Sequence, residues 1–253
     1  MEITFLGTGT SYGVPVLTCT CPVCTSTDPR NQRTRSSLWL RCRGTSLLID
    51  TATEFRLQAL RAGLRSVDAV LYTHCHADHV FGFDDLRVFS RLTRQRVPIY
   101  GNDSTIAELR EVFAYIFRQL ELHEDRPWIE TNVVSGPFQV GEVVVQPVPV
   151  FHDALPILGY RIGRTAYVTD CSSIPPASLE LLRDLDTLIL GVVGFNPHPA
   201  HMHLERALEL VRELAPKQAY FTHLSHRLDY EEVSRMLPPG VYLAYDGLTV
   251  QCG

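Results

Sequence analysis

The sequence predicts a layered α/β fold, and three observations support this prediction. The chain has 253 residues, of which 45% are hydrophobic and 20% are charged, so it can bury a sizeable core. Short apolar runs rich in strand-forming residues come first, and alternating strand and helix patterns follow. No repeat, low-complexity tract or long linker interrupts the chain. We therefore expect one domain over residues 1–253, with two sheets and helices outside them.

The first half of the chain is predicted to contain mostly strands. Alternating or continuous apolar runs predict strands over 2–6, 37–42, 45–50, 68–73 and 97–101. The first of these runs into a glycine-rich turn, and Arg43 and Gly44 join the second to the third. Helical spacing of apolar residues predicts helices over 54–64, with Gly63 near its end, and over 103–122, capped by Asp103 or Ser104.

The second half of the chain is predicted to alternate between strands and helices. Strand patterns cover 142–150, 165–170, 186–193 and 217–224, and two short strands close the chain within 241–251. Helical patterns cover 176–185, 203–214 and 229–237. Strands that alternate with helices are typical of a sheet covered by helices.

The composition argues against extended nucleic acid and membranes as partners. The net charge is −5, and arginines are scattered without a basic run, which disfavours binding of long nucleic acid through its phosphates. A small phosphate ester remains compatible with this charge. No segment reaches the ~18 apolar residues of a membrane helix, and the N-terminus lacks the features of a signal peptide. We expect a cytoplasmic protein.

Four potential metal ligands follow the predicted strand 68–73 within six positions: His74, His76, Asp78 and His79. A lone buried histidine is usually a core residue, but burying four such groups without partners would cost about 1–3 kcal/mol each. Imidazole and carboxylate groups bind Zn, Mn and Fe. His-x-His places two side chains on one side of an extended segment, so both can reach one ion, while the last two residues can face a second ion.

The spacing His-x-His-x-Asp-His resembles the signature motif of the metallo-β-lactamase fold superfamily. The resemblance implies a four-layer αββα sandwich, and it implies further ligands at the ends of later strands. His152, Asp170 and His223 occupy such positions. Asp50, at the end of an early strand, matches the acidic residue that supports the metal-binding loop in this family without binding the metal.

By this resemblance, the ligands form two sets that share one carboxylate. One ion would be held by His74, His76 and His152, the other by Asp78, His79 and His223, and Asp170 would bridge them. Asp78 is also counted as catalytic. Two ions about 3.5–4 Å apart can share a hydroxide and polarise a phosphoryl oxygen, so the implied activity is hydrolysis with two divalent metals, Mn or Zn, with Fe as a further option. Cys171, next to Asp170, is interpreted as a packing residue.

A separate cysteine cluster lies in the loop at about 17–30. Cys19, Cys21 and Cys24 suit a tetrahedral zinc ion, but a fourth ligand is needed. His226, three residues after a predicted catalytic ligand, can supply it; the simpler alternative is free thiols in a mobile loop. The arrangement resembles the PhnP-type phosphodiesterases, which act on phosphoribosyl 1,2-cyclic phosphate and carry a structural zinc on such a loop. Proteins of coenzyme PQQ biosynthesis carry a similar loop, so the substrate is not fixed.

His201 matches the position of an active-site histidine in the same phosphodiesterases. The resemblance implies that it contacts phosphate or protonates the leaving oxygen. His198 and His203 are then interpreted as surface or supporting residues. Segment 103–130 forms a helical insertion, for which helix-to-sheet packing is favoured; a lid or a dimer surface, and hence a homodimer, remains open.

Three functions follow from these observations. The leading hypothesis is a metal-dependent phosphodiesterase of small, cyclic phosphate esters. The second is a nuclease that processes transfer-RNA 3′ ends, although the flexible RNA-binding arm of such enzymes is missing from the sequence. The third is a metal-bound carrier or binding protein like those of PQQ biosynthesis.

Overall fold

Two seven-stranded sheets form the centre of the computed structural model, which describes residues 1–117 and 128–252. Their strands are β1 (Glu2–Gly7), β2 (Ser37–Cys42), β3 (Thr45–Ile49), β4 (Ala69–Leu71), β5 (Val97–Gly101), β6 (Ile129–Val133), β7 (Phe138–Val140), β8 (Val143–His152), β9 (Leu155–Ile162), β10 (Thr165–Val168), β11 (Thr187–Gly191), β12 (Gln218–Thr222), β13 (Val241–Leu243) and β14 (Thr249–Gln251). The strand order is β14-β1-β2-β3-β4-β5-β6 in one sheet and β13-β12-β11-β10-β9-β8-β7 in the other.

Helices lie outside the sheets and in the connections between strands. The α-helices are α1 (Phe55–Ala62), α2 (Ala77–Val80), α3 (Arg87–Thr93), α4 (Asp103–Val112), α5 (Ala114–Phe117), α6 (Pro176–Leu181), α7 (Leu204–Leu214) and α8 (Tyr230–Met236). Two 3₁₀-helices span Pro29–Asn31 and Phe83–Leu86. Within the described ranges, no helix combines the length and the apolar character that crossing a bilayer requires.

Three hydrophobic cores separate the four layers. Because strand residues alternate between faces, Leu38 and Leu40 of β2 enter the core between the two sheets, whereas Trp39 packs toward α1, α3 and α4. In the second sheet, Leu188 and Leu190 of β11 pack toward α6, α7 and α8. This arrangement confirms the predicted αββα sandwich.

The predicted elements differ from the observed ones mainly at their ends. Asn102, rather than Asp103 or Ser104, caps α4, because its side-chain oxygen accepts the Thr105 N–H at 2.9 Å. The sequence analysis missed β9, in which Pro156 and Gly159 interrupt the strand pattern. It also missed α2, α3, β6 and β7, which are short elements.

The insertion 103–130 is described only in part, since 118–127 lie outside the described residues. Phe113 and Phe117 pack on Phe83, with ring centroids 4.8 and 6.1 Å apart, in the core on the outer face of the first sheet. This contact favours helix-to-sheet packing. A lid or a homodimer surface stays a prediction, as does the single-domain boundary.

The strand directions bring one end of both sheets together. Strands β3 to β6 run parallel, and so do β10 to β13, while β8 is antiparallel to β9, which is antiparallel to β10. The carboxyl ends of β3, β4, β8, β10 and β12 therefore lie at one edge of the sandwich. Hydrogen bonds from Leu158 N to Thr73 O (3.0 Å) and from Leu224 N to Thr8 O (2.7 Å) join the two halves there.

Candidate dinuclear metal centre

All seven predicted catalytic ligands come together at this edge. The loop after β4 and the adjoining α2 provide His74, His76, Asp78 and His79, the last residue of β8 is His152, and Asp170 and His223 follow β10 and β12. Each ligand thus lies at or just beyond the carboxyl end of a strand, as the sequence analysis expected.

Two groups of side chains converge on separate points. His74, His76 and His152 place one ligand nitrogen each within 4.8 Å of one another, and Asp78, His79 and His223 do the same with a carboxylate oxygen and two nitrogens. These groups are the two predicted ligand sets.

Asp170 lies between the two groups. Its Oδ2 is 3.1 Å from His79 Nε2, and its Oδ1 is 3.0 Å from His223 Nε2. It also forms a possible ligand group with His74 and His79. One carboxylate with an oxygen toward each side is suited to bridging two ions.

Buried nitrogen atoms without hydrogen-bond partners test whether metals fit this site. Among the described residues, the Nε2 atoms of His74, His79 and His223 are buried and form no hydrogen bond of suitable geometry, although those of His79 and His223 lie 3.1 and 3.0 Å from Asp170 oxygens. Leaving such atoms unpaired costs about 1–3 kcal/mol each. All three point into the ligand groups, so divalent ions would satisfy them, and the donor set of imidazoles and carboxylates suits Zn, Mn or Fe.

Asp50 orients two of these histidines. Its Oδ2 lies 2.7 Å from His79 Nδ1, and it accepts hydrogen bonds of 2.8 Å from the backbone N–H and the hydroxyl of Thr73. The Thr73 hydroxyl is in turn 3.0 Å from His74 Nδ1. A carboxylate that holds one ring nitrogen leaves the other nitrogen directed at the metal.

The electrostatic environment favours cations. Burial alone would lower the pKa of His79, but the carboxylates of Asp78, Asp170 and Asp50 outweigh it and raise this pKa well above its ordinary value. Burial would raise the pKa of Asp170, yet the imidazoles of His223 and His79 hold it well below its usual range. Asp170 is therefore ionised, and the same negative potential that protonates a histidine would attract divalent metals.

Unusual backbone conformations occur at three residues of the site. Asp50, Asp170 and His223 have φ angles of 62°, 50° and 56°, in a region that non-glycine residues seldom adopt. Asp50 and His223 directly follow a strand and Asp170 lies two residues after one, and the left-handed conformation turns each side chain into the centre. Gly191 allows this at Asp170, because a β-carbon there would lie 2.9 Å from the Asp170 nitrogen.

His201 lies beside the ligands, in the loop before α7. Its Nδ1 is 3.4 Å from Asp170 Oδ1, and its ring centroid is 4.6 Å from that of His152 and 5.2 Å from that of His223. Burial lowers the pKa of His201 to about 3, although the Asp170 carboxylate opposes this shift. Its imidazole is therefore neutral in the resting site. His198 is exposed 5.0 Å from it, and His203 occupies the N-cap position of α7.

The cysteine loop meets His226 as predicted. His226 Nδ1 lies 3.3 Å from Cys19 Sγ, 3.5 Å from Cys21 Sγ and 3.5 Å from Cys24 Sγ. In a tetrahedral zinc site with Zn–S of ~2.3 Å and Zn–N of ~2.0 Å, sulfur and nitrogen ligands lie about 3.5 Å apart. The four side chains thus have the chemistry and spacing of a zinc site that links residues more than 200 positions apart.

The surroundings of Cys21 and Cys24 shift the pKa values of their thiols in opposite directions. The backbone N–H of Cys24, which donates to Cys21 Sγ at 3.4 Å, is the main cause that lowers the pKa of Cys21 to about 6. Burial raises the pKa of Cys24 to about 11. At neutral pH one thiol is therefore ionised without a metal, which prepares the loop to bind a cation. Cys171 is buried in the core beside α7, in agreement with its interpretation as a packing residue.

Sequence reasoning missed Arg33, a buried arginine that supports both metal-binding regions. Its guanidinium donates to Ser225 O at 2.8 Å, Leu228 O at 2.7 Å and Asn31 Oδ1 at 2.9 Å. It therefore fixes the loop that carries both His223 and His226. No local pattern could indicate this, since the two acceptors in that loop are backbone carbonyls 192 and 195 residues away.

Asp246 was also missed as a residue that supports the site. Its carboxylate accepts hydrogen bonds from the backbone and hydroxyl groups of Thr8 and Thr34, at 2.6 to 2.9 Å. Thr8 O in turn holds Leu224 next to His223. A β-carbon on Gly9 would lie 2.8 Å from Arg33 O, so the glycine-rich turn packs tightly in this contact.

Comparison with known proteins agrees with the predicted fold. The beta-lactamase superfamily domain matches residues 45–224. A crystal structure of a diphosphatase from the PhnP family is 43% identical, with a TM-score of 0.93 over 100% of this chain and 98% of the other.

Two curated relatives extend this comparison. The octanoyltransferase of Porphyromonas gingivalis is 37% identical over 98% of this chain, but the chain spans only 51% of that protein. Ribonuclease BN of Cronobacter sakazakii is 26% identical over 99% of both chains. With the domain match over most of its length, the chain belongs to the beta-lactamase superfamily domain family and has the metallo-β-lactamase fold.

Proposed function

We propose that the protein is a metal-dependent phosphodiesterase of small phosphate compounds. One observation carries this proposal: three buried histidine Nε2 atoms without hydrogen-bond partners converge from two ligand groups on either side of Asp170. One ion would be held by His74, His76 and His152, and the other by Asp78, His79 and His223, with Asp170 between them.

The residues around the metals prepare the site for hydrolysis. Bound divalent ions supply Lewis acidity toward a phosphoryl oxygen and lower the pKa of a water molecule. Asp50 fixes the tautomer and orientation of His79. His201, neutral before substrate binds, donates an N–H to the phosphate or, once the substrate charge has raised its pKa, a proton to the leaving oxygen.

A small substrate is favoured over RNA. The similarity to a PhnP-family diphosphatase, at 43% identity, supports small phosphate compounds, either a cyclic ester or a diphosphate. With a net charge of −5, the chain lacks the basic surface that binding of long RNA requires. RNA 3′-end processing remains the second candidate, because Ribonuclease BN matches along the full chain at 26% identity.

A substrate panel tests the proposal. Metal-free protein is reloaded with Zn, Mn or Fe and given bis-p-nitrophenyl phosphate, cyclic nucleotides, a dinucleoside diphosphate and precursor transfer RNA. We expect turnover of the small compounds and not of the precursor. Cleavage of precursor transfer RNA alone would support the nuclease, and no turnover with any ion would support a carrier protein.

The cysteine loop is proposed to bind a structural zinc. Its support is the 3.3–3.5 Å spacing between His226 Nδ1 and the three sulfur atoms. Zinc there would tie the N-terminal loop to the segment after β12, three residues from the catalytic ligand His223. Folding and metal affinity would then be linked.

A further inference from the structure

A pocket of about 220 Å³ opens directly beside the metal centre. His201 and His223 form its inner wall. The remaining wall comes from Val16 and three segments: the glycine-rich turn at 10–12, the loop 193–198 after β11, and the loop 225–227 after β12. A compound whose phosphate reached Asp170 would therefore extend its remaining part into this pocket.

The pocket has the charge pattern of an anion site. Among the described residues, none of the side chains that line it is acidic, although the whole chain contains 28 acidic residues. Its polar side chains are hydroxyls, an amide, imidazoles and one guanidinium: Thr10, Ser11, Tyr12, Asn196, His198, His201, His223, Ser225, His226 and Arg227.

Arg227 is the only cation of fixed charge in the described wall of this pocket. Within the described part of the chain its guanidinium forms no ion pair, whereas nearby Arg30 and Arg235 pair with Glu231. It lies on the loop that Arg33 fixes through Ser225 O and Leu228 O. Its Cδ lies along Gly194, 3.7 Å from where a β-carbon would be, which is an ordinary van der Waals distance.

We propose that Arg227 binds a second phosphate group of the substrate, next to the phosphate that lies at Asp170. The substrate class is then a diphosphate, or a phosphate ester with another anion one or two bonds beyond the cleaved group. Guanidinium groups bind phosphate oxygens in pairs, and such charge-assisted bonds are stronger than neutral ones. This inference rests on the proposed function, since it assigns the pocket to the substrate of that site.

Hydrolysis of such a substrate balances without another reactant. Water adds to one phosphorus and the bond from that phosphorus to the bridging oxygen breaks. A diphosphate esterified at both ends gives two phosphate monoesters and protons, and one with a free end gives a monoester, orthophosphate and protons. Arg227 then holds the phosphate that leaves, and its charge stabilises the negative charge that the bridging oxygen gains.

Binding of AMP and ADP tests the inference, because the two ligands differ by one phosphate. Zinc-loaded protein is titrated with each by calorimetry, and its zinc content is checked afterwards. We expect ADP to bind wild-type protein on the order of 10–100-fold tighter than AMP. Arg227→Gln should remove most of this difference, and Arg227→Lys should keep part of it. The control variant Arg235→Gln, on the surface of α8, should keep all of it.

Equal affinities for AMP and ADP in the wild type, or an unchanged difference in Arg227→Gln, would overturn the inference. Turnover of bis-p-nitrophenyl phosphate, which has no second anion, tests the proposed function separately. Turnover without an Arg227-dependent preference would reject only the second phosphate site. An Arg227-dependent preference without turnover of any ester would keep the anion site and reject the phosphodiesterase.

Discussion

At the scale of single residues, Asp170 and His201 decide the chemistry of the candidate centre. Asp170 faces both ligand groups, and its φ of 50° exists only because the surrounding structure enforces it. His201 contacts the same carboxylate without belonging to either of the two main ligand groups. The first residue is expected to hold metals, and the second to act on the substrate.

Asp170→Ala should abolish turnover of every diester. The variant lacks the carboxylate that would bind both ions. Its metal affinity should therefore fall by more than the ~10–100-fold that is lost when a residue that only hydrogen-bonds to a ligand is removed. Metal content and turnover are measured together. Asp103→Ala, on the exposed first turn of α4, is the control. Activity near the wild-type level in Asp170→Ala would refute the bridging role.

The His201→Ala variant should keep both metals, and the size of its loss of activity should depend on the leaving group. Protonation by a positioned imidazole contributes about 10²–10⁴-fold to the rate, so turnover of substrates with alkyl or ribosyl leaving groups should fall by that factor. A p-nitrophenolate leaving group needs little protonation, so turnover of its ester should fall less. His203→Ala, at the N-cap of α7, is the matched control.

The outcome for His201→Ala separates its possible roles. Equal losses for both leaving groups would assign phosphate binding to His201. Loss of metal would make it a ligand, which its grouping with His152 and Asp170 allows geometrically. Unchanged kinetics would remove it from the site.

At the scale of elements, two loops from distant parts of the sequence meet: the loop 223–228 and the cysteine loop. The loop 223–228 after β12 carries a predicted metal ligand, a cysteine-loop partner and the pocket arginine within five residues: His223, His226 and Arg227. The cysteine loop reaches it from the other end of the sequence. Arg33 fixes both through hydrogen bonds to backbone carbonyls.

Metal-free protein should react with iodoacetamide first at Cys21. Its pKa of about 6 makes it a thiolate at pH 7, while Cys24, with a pKa of about 11, stays protonated. The rate at Cys21 should fall as pH drops through about 6, and zinc should protect all three cysteines. Because the pKa is lowered on folding, the ionised thiol contributes stability that is complete above its ordinary 9.0 and lost below about 6.

Mass spectrometry of the alkylated peptides at several pH values measures these rates. Cys42 lies on β2, outside this loop, and serves as an internal reference. A Cys21 rate that rises only near pH 9, or no protection by zinc, would contradict the assignment of this loop.

Arg33→Lys should destabilise the protein although the charge is retained. An ammonium group on a shorter stem cannot reach all the acceptors that the guanidinium contacts, and an unpaired buried acceptor costs about 1–3 kcal/mol. We expect a lower midpoint in denaturant unfolding and weaker zinc retention. Arg30→Lys, on the adjacent 3₁₀-helix with a half-exposed side chain, should change both far less. Similar midpoints for the two variants would show that Arg33 does not fix the loops.

At the scale of the whole molecule, the local sequence pattern predicted two sheets with helices outside them and the histidine and aspartate cluster at 74–79. The ligands at 152, 170 and 223 have no such cluster and were implied by the family resemblance, which also implied the four-layer order. The strand β9 was missed because Pro156 and Gly159 break that pattern, although the neighbouring strands pair with it along its length. Arg33 and Asp246 were missed because their hydrogen-bond partners come from distant parts of the chain, and Arg227 because the pocket that it lines is built from separate segments.

Zinc titration of the metal-free chain tests the central claim most directly, that a dinuclear centre in this fold cleaves phosphate diesters. Turnover of bis-p-nitrophenyl phosphate and bound zinc are measured at each addition. The ligand groups predict a plateau of activity at three ions per chain in the wild type, and at two ions in Cys21→Ser, which should melt at a lower temperature but keep a similar kcat. Full activity with one bound ion, or no turnover at saturation with zinc, manganese or iron, would contradict the claim.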